Sequence, residues 1–363
     1  MHVMRGFLTM KKVCHLMIMF LLGSFVVCLC GCNEDWDVVT TYKNDIQSLS
    51  HYHAMAIELP DDLDNAPYPT IVFIHGGWYV SGDYNMFHDL CHAAAQRGYI
   101  AVSIDYHLAP YQGIPNGKAW PEQLNDAKKA VEWLRSNQSI YFNGRYYNLN
   151  QIVKPDAIGV TGLSAGAHTA LMMGLTNSTM HNPYYNYGIL GDVQAICSMA
   201  GPTHYLSVYF ESQDDYTNPK DYIMALLNPD PVLSIVRNLG IGCDFEKDQY
   251  CDKNTGTSIQ EIAPSISPHP YGLFAYASPY YQSSPGMPIY NDTPILMEIG
   301  ADDRTVPYAS QHVPFFNKLK GPKQEVVFCR DGSLGCVCGH SFTYHTAERD
   351  EQMFRFFDQH LKQ

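Results

Sequence analysis

The stretch Ala157-Ile-Gly-Val-Thr161 runs directly into Gly162-Leu163-Ser164-Ala165-Gly166, and a segment of helical character follows. A short apolar, β-branched run followed by a Gly-x-Ser-x-Gly turn and a helix is the context in which a serine hydroxyl can be lifted clear of a sheet. Small residues at 162 and 166 let the incoming strand and the outgoing helix pass close to each other around Ser164. On that context Ser164 is the candidate nucleophile and Ala165 N–H, next to it, a candidate donor to a developing negative charge.

Working outward, the same kind of run recurs at Ile71 to Ile74, Ile100 to Ile104, Val193 to Met199, Ile295 to Ile299 and Glu325 to Phe328. Such runs separated by helical periods predict a mostly parallel sheet buried on both faces, an α/β architecture. Pro121 is expected to open a helix whose Leu124, Ala127, Val131 and Leu134 face the sheet, and Met353, Phe354, Phe357 and Leu361 repeat that pattern at the C-terminal end. His360 then reads as a helix-end residue. The stretch from about 203 to 290 breaks the alternation and is read as an inserted cap, since a structureless loop of that length does not suit a compact domain. Its Tyr205, Tyr209, Phe210, Tyr216 and Tyr222 are either rings offered to a sugar or aryl group or the cap's own small core.

A chain of 363 residues with net charge −13 has ample length for one large core, and no Lys/Arg run outside the extreme N-terminus offers a nucleic-acid footprint. Lys11-Lys12 followed by an apolar run from Val13 to Leu29 has the layout of a secretory signal. Its end, Leu29-Cys30-Gly31-Cys32 before Asn33-Glu34-Asp35, is similar to a bacterial lipoprotein signal with Cys32 as the lipidated residue. The expected organisation is therefore a signal peptide over 1–31, a tether over 32–50, and a catalytic domain over 51–363. The expected location is the outer membrane or cell surface, with a periplasmic or secreted form as the alternative. In an oxidising compartment Cys243 and Cys251 can pair, as can members of the set Cys329, Cys336 and Cys338. A zinc site near His340 and His345 is the rival use of those cysteines, while Cys91 and Cys197 read as core residues.

Three further motifs carry chemistry. His75-Gly76-Gly77-Trp78 leaves the Ile71 to Ile74 strand, Gly300-Ala301-Asp302-Asp303-Arg304-Thr305-Val306-Pro307 leaves a late strand, and Gly339-His340-Ser341-Phe342 precedes the last helix. With Ser81-Gly82-Asp83, Asp105-Tyr-His-Leu-Ala-Pro110, Trp120-Pro-Glu-Gln123, Asp126 and Trp133-Leu134, they make the chain similar, over about residues 50 to 361, to α/β-hydrolase fold serine carboxylesterases, in particular the feruloyl-esterase-like branch, BD-FAE-like, with lipase-type esterases more distant.

That resemblance implies the chain order Ser, acid, His and hence Ser164, Asp303 and His340 as a catalytic set, with Asp-x-x-Val-Pro marking Asp303 over Asp302, and His345 as rival base. It implies the N–H groups of Gly77, Trp78 and Ala165 as oxyanion donors. His75 is expected to brace the loop and His168 to be structural. No metal and no organic cofactor is implied. Trp78 stands where lipase-like relatives often have a third glycine, a feature that brings kynurenine-formamidase-like chains into the comparison, and His107 replaces the usual arginine. The expected substrates are small or glycan-linked esters, with amide, formamide or peptide hydrolysis on the same fold and a silent binding lipoprotein as the other readings.

Overall fold

The structure is a computed structural model that describes residues 36–42, 53–176, 191–205, 207–208, 219–227, 241–244, 249–252, 277–282, 288–328, 339–340 and 347–363. Residues Glu34–Gln363 form one compact unit. The expected signal segment with Cys32, most of the expected cap, Cys329, Cys336, Cys338 and His345 lie outside the described residues.

Each β-branched run named above from Ile71 onward is a strand. In chain order the strands are β1 (Val38–Thr41), β2 (Ala54–Glu58), β3 (Tyr68–Ile74), β4 (Ile100–Ile104), the hairpin β5 (Ser139–Phe142) and β6 (Arg145–Asn148), β7 (Val153–Leu163), β8 (Ala195–Met199), the hairpin β9 (Ile241–Asp244) and β10 (Gln249–Asp252), β11 (Ile295–Gly300) and β12 (Lys323–Phe328). Eight of them form one sheet in the order β1-β2-β4-β3-β7-β8-β11-β12. From β4 to β12 every pairing is parallel, and β2 is antiparallel to both β1 and β4.

The helices are α1 (His88–Gln96), α2 (Glu122–Leu134), the single turn α3 (Leu149–Ile152), α4 (Ala165–Leu175), α5 (Pro219–Leu227), α6 (Tyr308–Lys318) and α7 (Ala347–Leu361). Alternation along the strands sorts the core into two layers. Val72, Ile74, Val102 and Ile104 pack with Leu124 and Val131 of α2 and Leu171 and Met172 of α4. Ile71, Phe73 and Ala101 pack with Leu90 and Cys91 of α1 and Met353, Phe354, Phe357 and Leu361 of α7. All of α4 is buried, as a helix apolar on every side must be. Cys91 and Cys197 are free and buried, in keeping with their reading as core residues.

Two expectations are corrected. Val38–Thr41 lies in the stretch read as a tether, yet it is an edge strand, with Val38 to Thr41 paired against Ile57 to Ala54. The helix after Pro121 begins one residue later, at Glu122, with Pro121 as the flanking residue. Of the region read as a cap, α5, β9 and β10 and a 3-10 turn at Pro279–Tyr281 are described, and Trp120 N–H donates to Leu226 O at 2.8 Å, tying the end of α5 to the body. Backbone register sets Cys243 opposite Tyr250 and Cys251 opposite Gly242.

The strand order places the site. From β3 the chain moves outward to β4, then crosses back over β3 to β7 and continues in the other direction. This reversal opens a crevice beyond the carboxyl ends of β3 and β7, the position where open α/β sheets bind ligands. His75 to Trp78 leaves β3 there, and Ser164 follows β7 there.

Candidate active site

Ser164 sits between the last residue of β7 and the first of α4, with φ 54° and ψ −116°. A side chain held at such a φ costs about 1–3 kcal/mol and persists only where its surroundings dictate it. Ser164 N–H donates to Met199 O at 2.8 Å, and Ser164 O accepts from His168 N–H at 3.0 Å. One bond extends the sheet and the next starts the helix, so the turn is held from both sides. The glycines make the crossing feasible: a Cβ on Gly162 would lie 2.4 Å from Gly166 C, and one on Gly166 would lie 1.9 Å from Ile74 O.

The Ser164 hydroxyl lies 2.8 Å from His340 Nε2. The other nitrogen of that ring, Nδ1, lies 2.9 Å from Asp303 Oδ2. Asp303 is buried, and its Oδ1 accepts from the backbone N–H of Thr305 at 2.9 Å and of Val306 at 2.8 Å. Those two donors fix the carboxylate plane and leave Oδ2 for the imidazole. Nδ1 therefore carries the proton toward Asp303, and Nε2 is left with a lone pair for the serine proton. The neighbouring Asp302 is exposed, a turn residue on the outside of the same loop. Gly339 has neither a positive φ nor a close neighbour among the described residues; the orientation of His340 comes from Asp303.

The loop after β3 turns tightly through positive φ at Gly77 (108°), Trp78 (56°) and Tyr79 (63°). Gly77 O accepts from Val80 N–H at 2.9 Å and Ser81 N–H at 3.1 Å, and a Cβ on Gly77 would strike Ser81 O at 2.3 Å. The loop lies against the serine turn, because a Cβ on Gly76 would come within 3.3 Å of Ser164 Cβ. Among the described residues, the N–H groups of Gly77, Trp78 and Ala165 donate no backbone hydrogen bond. The structure thus brings Ser164, His340, Asp303, Gly77, Trp78 and Ala165 to one end of the sheet.

Solved structures match the fold over most of the chain. One is described as a truncated form of a carbohydrate esterase from gut microbiota, with TM-score 0.57 at 19% identity over 90% of this chain and 98% of that one. Esterase B from Lactobacillus Rhamnosis matches with TM-score 0.60 at 16% identity, over 90% of this chain and 85% of that one. The chain has the α/β-hydrolase fold. A family model described as BD-FAE matches residues 55–235 of this chain. Esterase LipC of Mycobacterium tuberculosis is 32% identical over 117 residues, which is 32% of this chain and 25% of that protein. The chain spans about a quarter of the length of the curated relatives it matches first.

The other residues singled out in the sequence have structural places. His75 is buried and stacked on Tyr106 at 4.2 Å between ring centroids. Its Nδ1 donates to Gly76 O at 2.8 Å, and burial pushes its pKa down to about 4. It braces the loop as a neutral ring. His168 is likewise buried and pushed down to about 3; its Nε2 donates to Ala277 O at 2.5 Å. Of the cap aromatics, Tyr205 is buried. Tyr222 is half-buried, with its ring 6.4 Å from that of Trp78 and 4.9 Å from that of Tyr111. Tyr209, Phe210 and Tyr216 lie outside the described residues.

Sequence reasoning missed Tyr79. Its buried hydroxyl lies 2.6 Å from Ala165 O, 2.5 Å from His168 Nδ1 and 2.9 Å from Thr169 Oγ1. It fastens the loop carrying Gly77 and Trp78 to the first turn of α4, which carries Ala165. The only signal was an aromatic residue next to the Gly-Gly-Trp motif, and that does not disclose its partners.

Proposed function

We propose that this chain is a serine hydrolase that cleaves carboxylic esters by way of an acyl-enzyme on Ser164. The observation that carries the reading is His340, hydrogen-bonded through one nitrogen to Ser164 and through the other to Asp303. A serine hydroxyl becomes a useful nucleophile when a base within hydrogen-bond reach takes its proton and a carboxylate stabilises the resulting imidazolium. Ser164 Oγ attacks the carbonyl carbon as His340 Nε2 takes its proton. The carbonyl oxygen, now an anion, is held by the N–H groups of Gly77, Trp78 and Ala165, each donor worth about 2.7–4 kcal/mol in the transition state. His340 then protonates the departing alcohol, and the same base activates the water that frees Ser164.

The proposed substrates are acyl or feruloyl esters on polysaccharides. This is supported by the BD-FAE match, by the neighbour described as a carbohydrate esterase, and by the rings of Trp78, Tyr111 and Tyr222 near the candidate oxyanion loop. The proposed location is the outer membrane or cell surface, through a lipid on Cys32, supported by the charged-then-apolar layout of residues 11–32. Labelling by a fatty-acid analogue in cells, lost on Cys32→Ala, tests that part.

Hydrolysis of p-nitrophenyl esters from acetate to octanoate, and of methyl ferulate beside a matched anilide, tests the chemistry. The expected result is ester cleavage that Ser164→Ala abolishes. Cleavage of the anilide in preference to the ester would make the enzyme an amidase, and activity surviving in Ser164→Ala would remove the serine mechanism.

A further inference from the structure

On the flank of the sheet formed by β2, β4 and α2, three buried side chains meet that the hydrolytic reading does not use. His53 precedes β2, His107 follows β4, and Asp126 lies in α2. Asp126 Oδ2 is 2.7 Å from His107 Nδ1, and Oδ1 is 3.2 Å from His53 Nε2. All three residues are buried, and their ligand-type atoms lie within 4.8 Å of one another. We propose that His53, His107 and Asp126 form a binding site for one divalent ion of the zinc class, separate from the Ser164 centre and independent of the reaction assigned to it.

The donor set fits that ion class. Two imidazole nitrogens and a carboxylate favour zinc or a neighbouring transition metal over magnesium or calcium, which take oxygen donors. Tetrahedral zinc with bonds of about 2.0–2.2 Å sets its donor atoms roughly 3.3 Å apart. The imidazole-to-carboxylate spacings are 2.7 and 3.2 Å and all three ligand atoms lie within 4.8 Å of one another, so no donor pair has to change its separation by more than about 1.5 Å to reach that value. The ion takes the place of the two hydrogens between ring and carboxylate. The proton displaced from each ring nitrogen moves to the other nitrogen of the same ring, Nε2 of His107 and Nδ1 of His53, so no net proton is released.

The surroundings hold the donors and favour a cation. Asp126 Oδ2 also accepts His107 N–H at 2.9 Å, and Gln123 Nε2 donates to His107 O at 2.9 Å. The His53 and His107 rings stand edge to face with centroids 4.6 Å apart. Burial first, and then the nearby Asp126, Asp105 and Glu122, raise the phenol of the adjacent Tyr42.

The test uses the full untagged chain, stripped with a chelator and equilibrated with zinc chloride alone, followed by elemental analysis and thermal unfolding. The expected result is about one zinc per chain and a rise in Tm of about 3–5 °C. His53→Gln and His107→Asn each keep an N–H donor toward Asp126 but lose an aromatic nitrogen ligand. In both, zinc affinity should fall at least tenfold while the zinc-free Tm stays close to that of the parent, and Ser164→Ala should bind as the parent does. A parent chain that retains no zinc overturns the proposal and leaves a hydrogen-bonded carboxylate. Stoichiometric zinc that persists in both histidine variants also overturns it, because the ion is then held elsewhere, among the chain's other cysteines and histidines.

Discussion

A Cβ placed on Gly166 would lie 1.9 Å from the carbonyl oxygen of Ile74. The helix that starts at Ala165 can therefore sit under β3 only because residue 166 has no side chain. Relief requires the backbone to move, since the obstacle is a strand carbonyl and not a flexible side chain. Gly166→Ala should displace Ser164 from His340 Nε2, cut ester hydrolysis at least about a hundredfold, and cost about 1–3 kcal/mol of stability. Steady-state kinetics with a fluorophosphonate labelling rate would check it; unchanged labelling would mean that the turn absorbs a methyl group.

The two aspartates of the Gly300 to Pro307 loop separate cleanly. Asp303→Asn leaves the loop geometry nearly intact but permits the wrong His340 tautomer, and kcat should fall by about 10⁴. Asp302→Asn, on the exposed side of the turn, should leave kcat within about twofold. Equal losses in the two variants would contradict the assignment.

Tyr79→Phe removes the hydroxyl that lies among Ala165 O, His168 Nδ1 and Thr169 Oγ1. Leaving His168 Nδ1 without its partner should cost about 1–3 kcal/mol in urea unfolding. If the same hydroxyl aligns the two halves of the oxyanion site, kcat should drop about tenfold with KM little changed. A stability loss with no change in kcat would restrict Tyr79 to packing.

Buried histidines set an acid limit on stability. His75 and His168 are held down to about 4 and about 3 in the folded chain by burial, against about 6.5 when unfolded. Between those values the unfolded state binds more protons, so their contribution is present above about pH 6.5 and is lost as pH falls toward 3. Burial pushes Asp105 and Glu298 up to about 8, and these act oppositely, removing stability as pH rises from about 4 to 8. Urea unfolding across pH 4–8 should show His168→Gln flattening the acid limb by up to ~1.4 kcal/mol per pH unit. An unchanged slope would mean that His168 is not neutral when buried.

Phe357→Ala should cost about 3–5 kcal/mol, since the ring is fully buried between α7 and the sheet. Activity per folded molecule should be unaffected, because that layer lies on the opposite side of the sheet from α4. Thermal unfolding beside active-site titration separates the two effects.

The parallel strands were legible because burial on both faces demands runs such as Ile71-Val-Phe-Ile74, and Ser164 was legible because its whole context is local. β1 was not. Val-Val-Thr-Thr at the sheet edge alternates between half-buried and exposed, and its polar surroundings look the same whether or not a partner strand is present. β2 owes its burial to β4 and shows no β-branched run of its own. The choice of Asp303 over its neighbour could be made from the Val306-Pro307 spacing, but its physical basis, two backbone donors and burial, exists only in the folded loop. His53, His107 and Asp126 converge from separate segments, and nothing local to any of them announces the others.

One consequence of the strand order concerns distance. Ser164 follows β7 and Asp303 follows β11, and β8 alone lies between them. Neighbouring strands stand about 4.8 Å apart, so the gap between nucleophile and acid spans roughly two such steps, ~10 Å, whatever the connecting loops do. An imidazole with a hydrogen bond at each end is a fitting bridge for that interval. The ladder of backbone hydrogen bonds thus acts as a ruler: loops around the site can lengthen or change for a new substrate while the reach of His340 stays calibrated by the sheet beneath it.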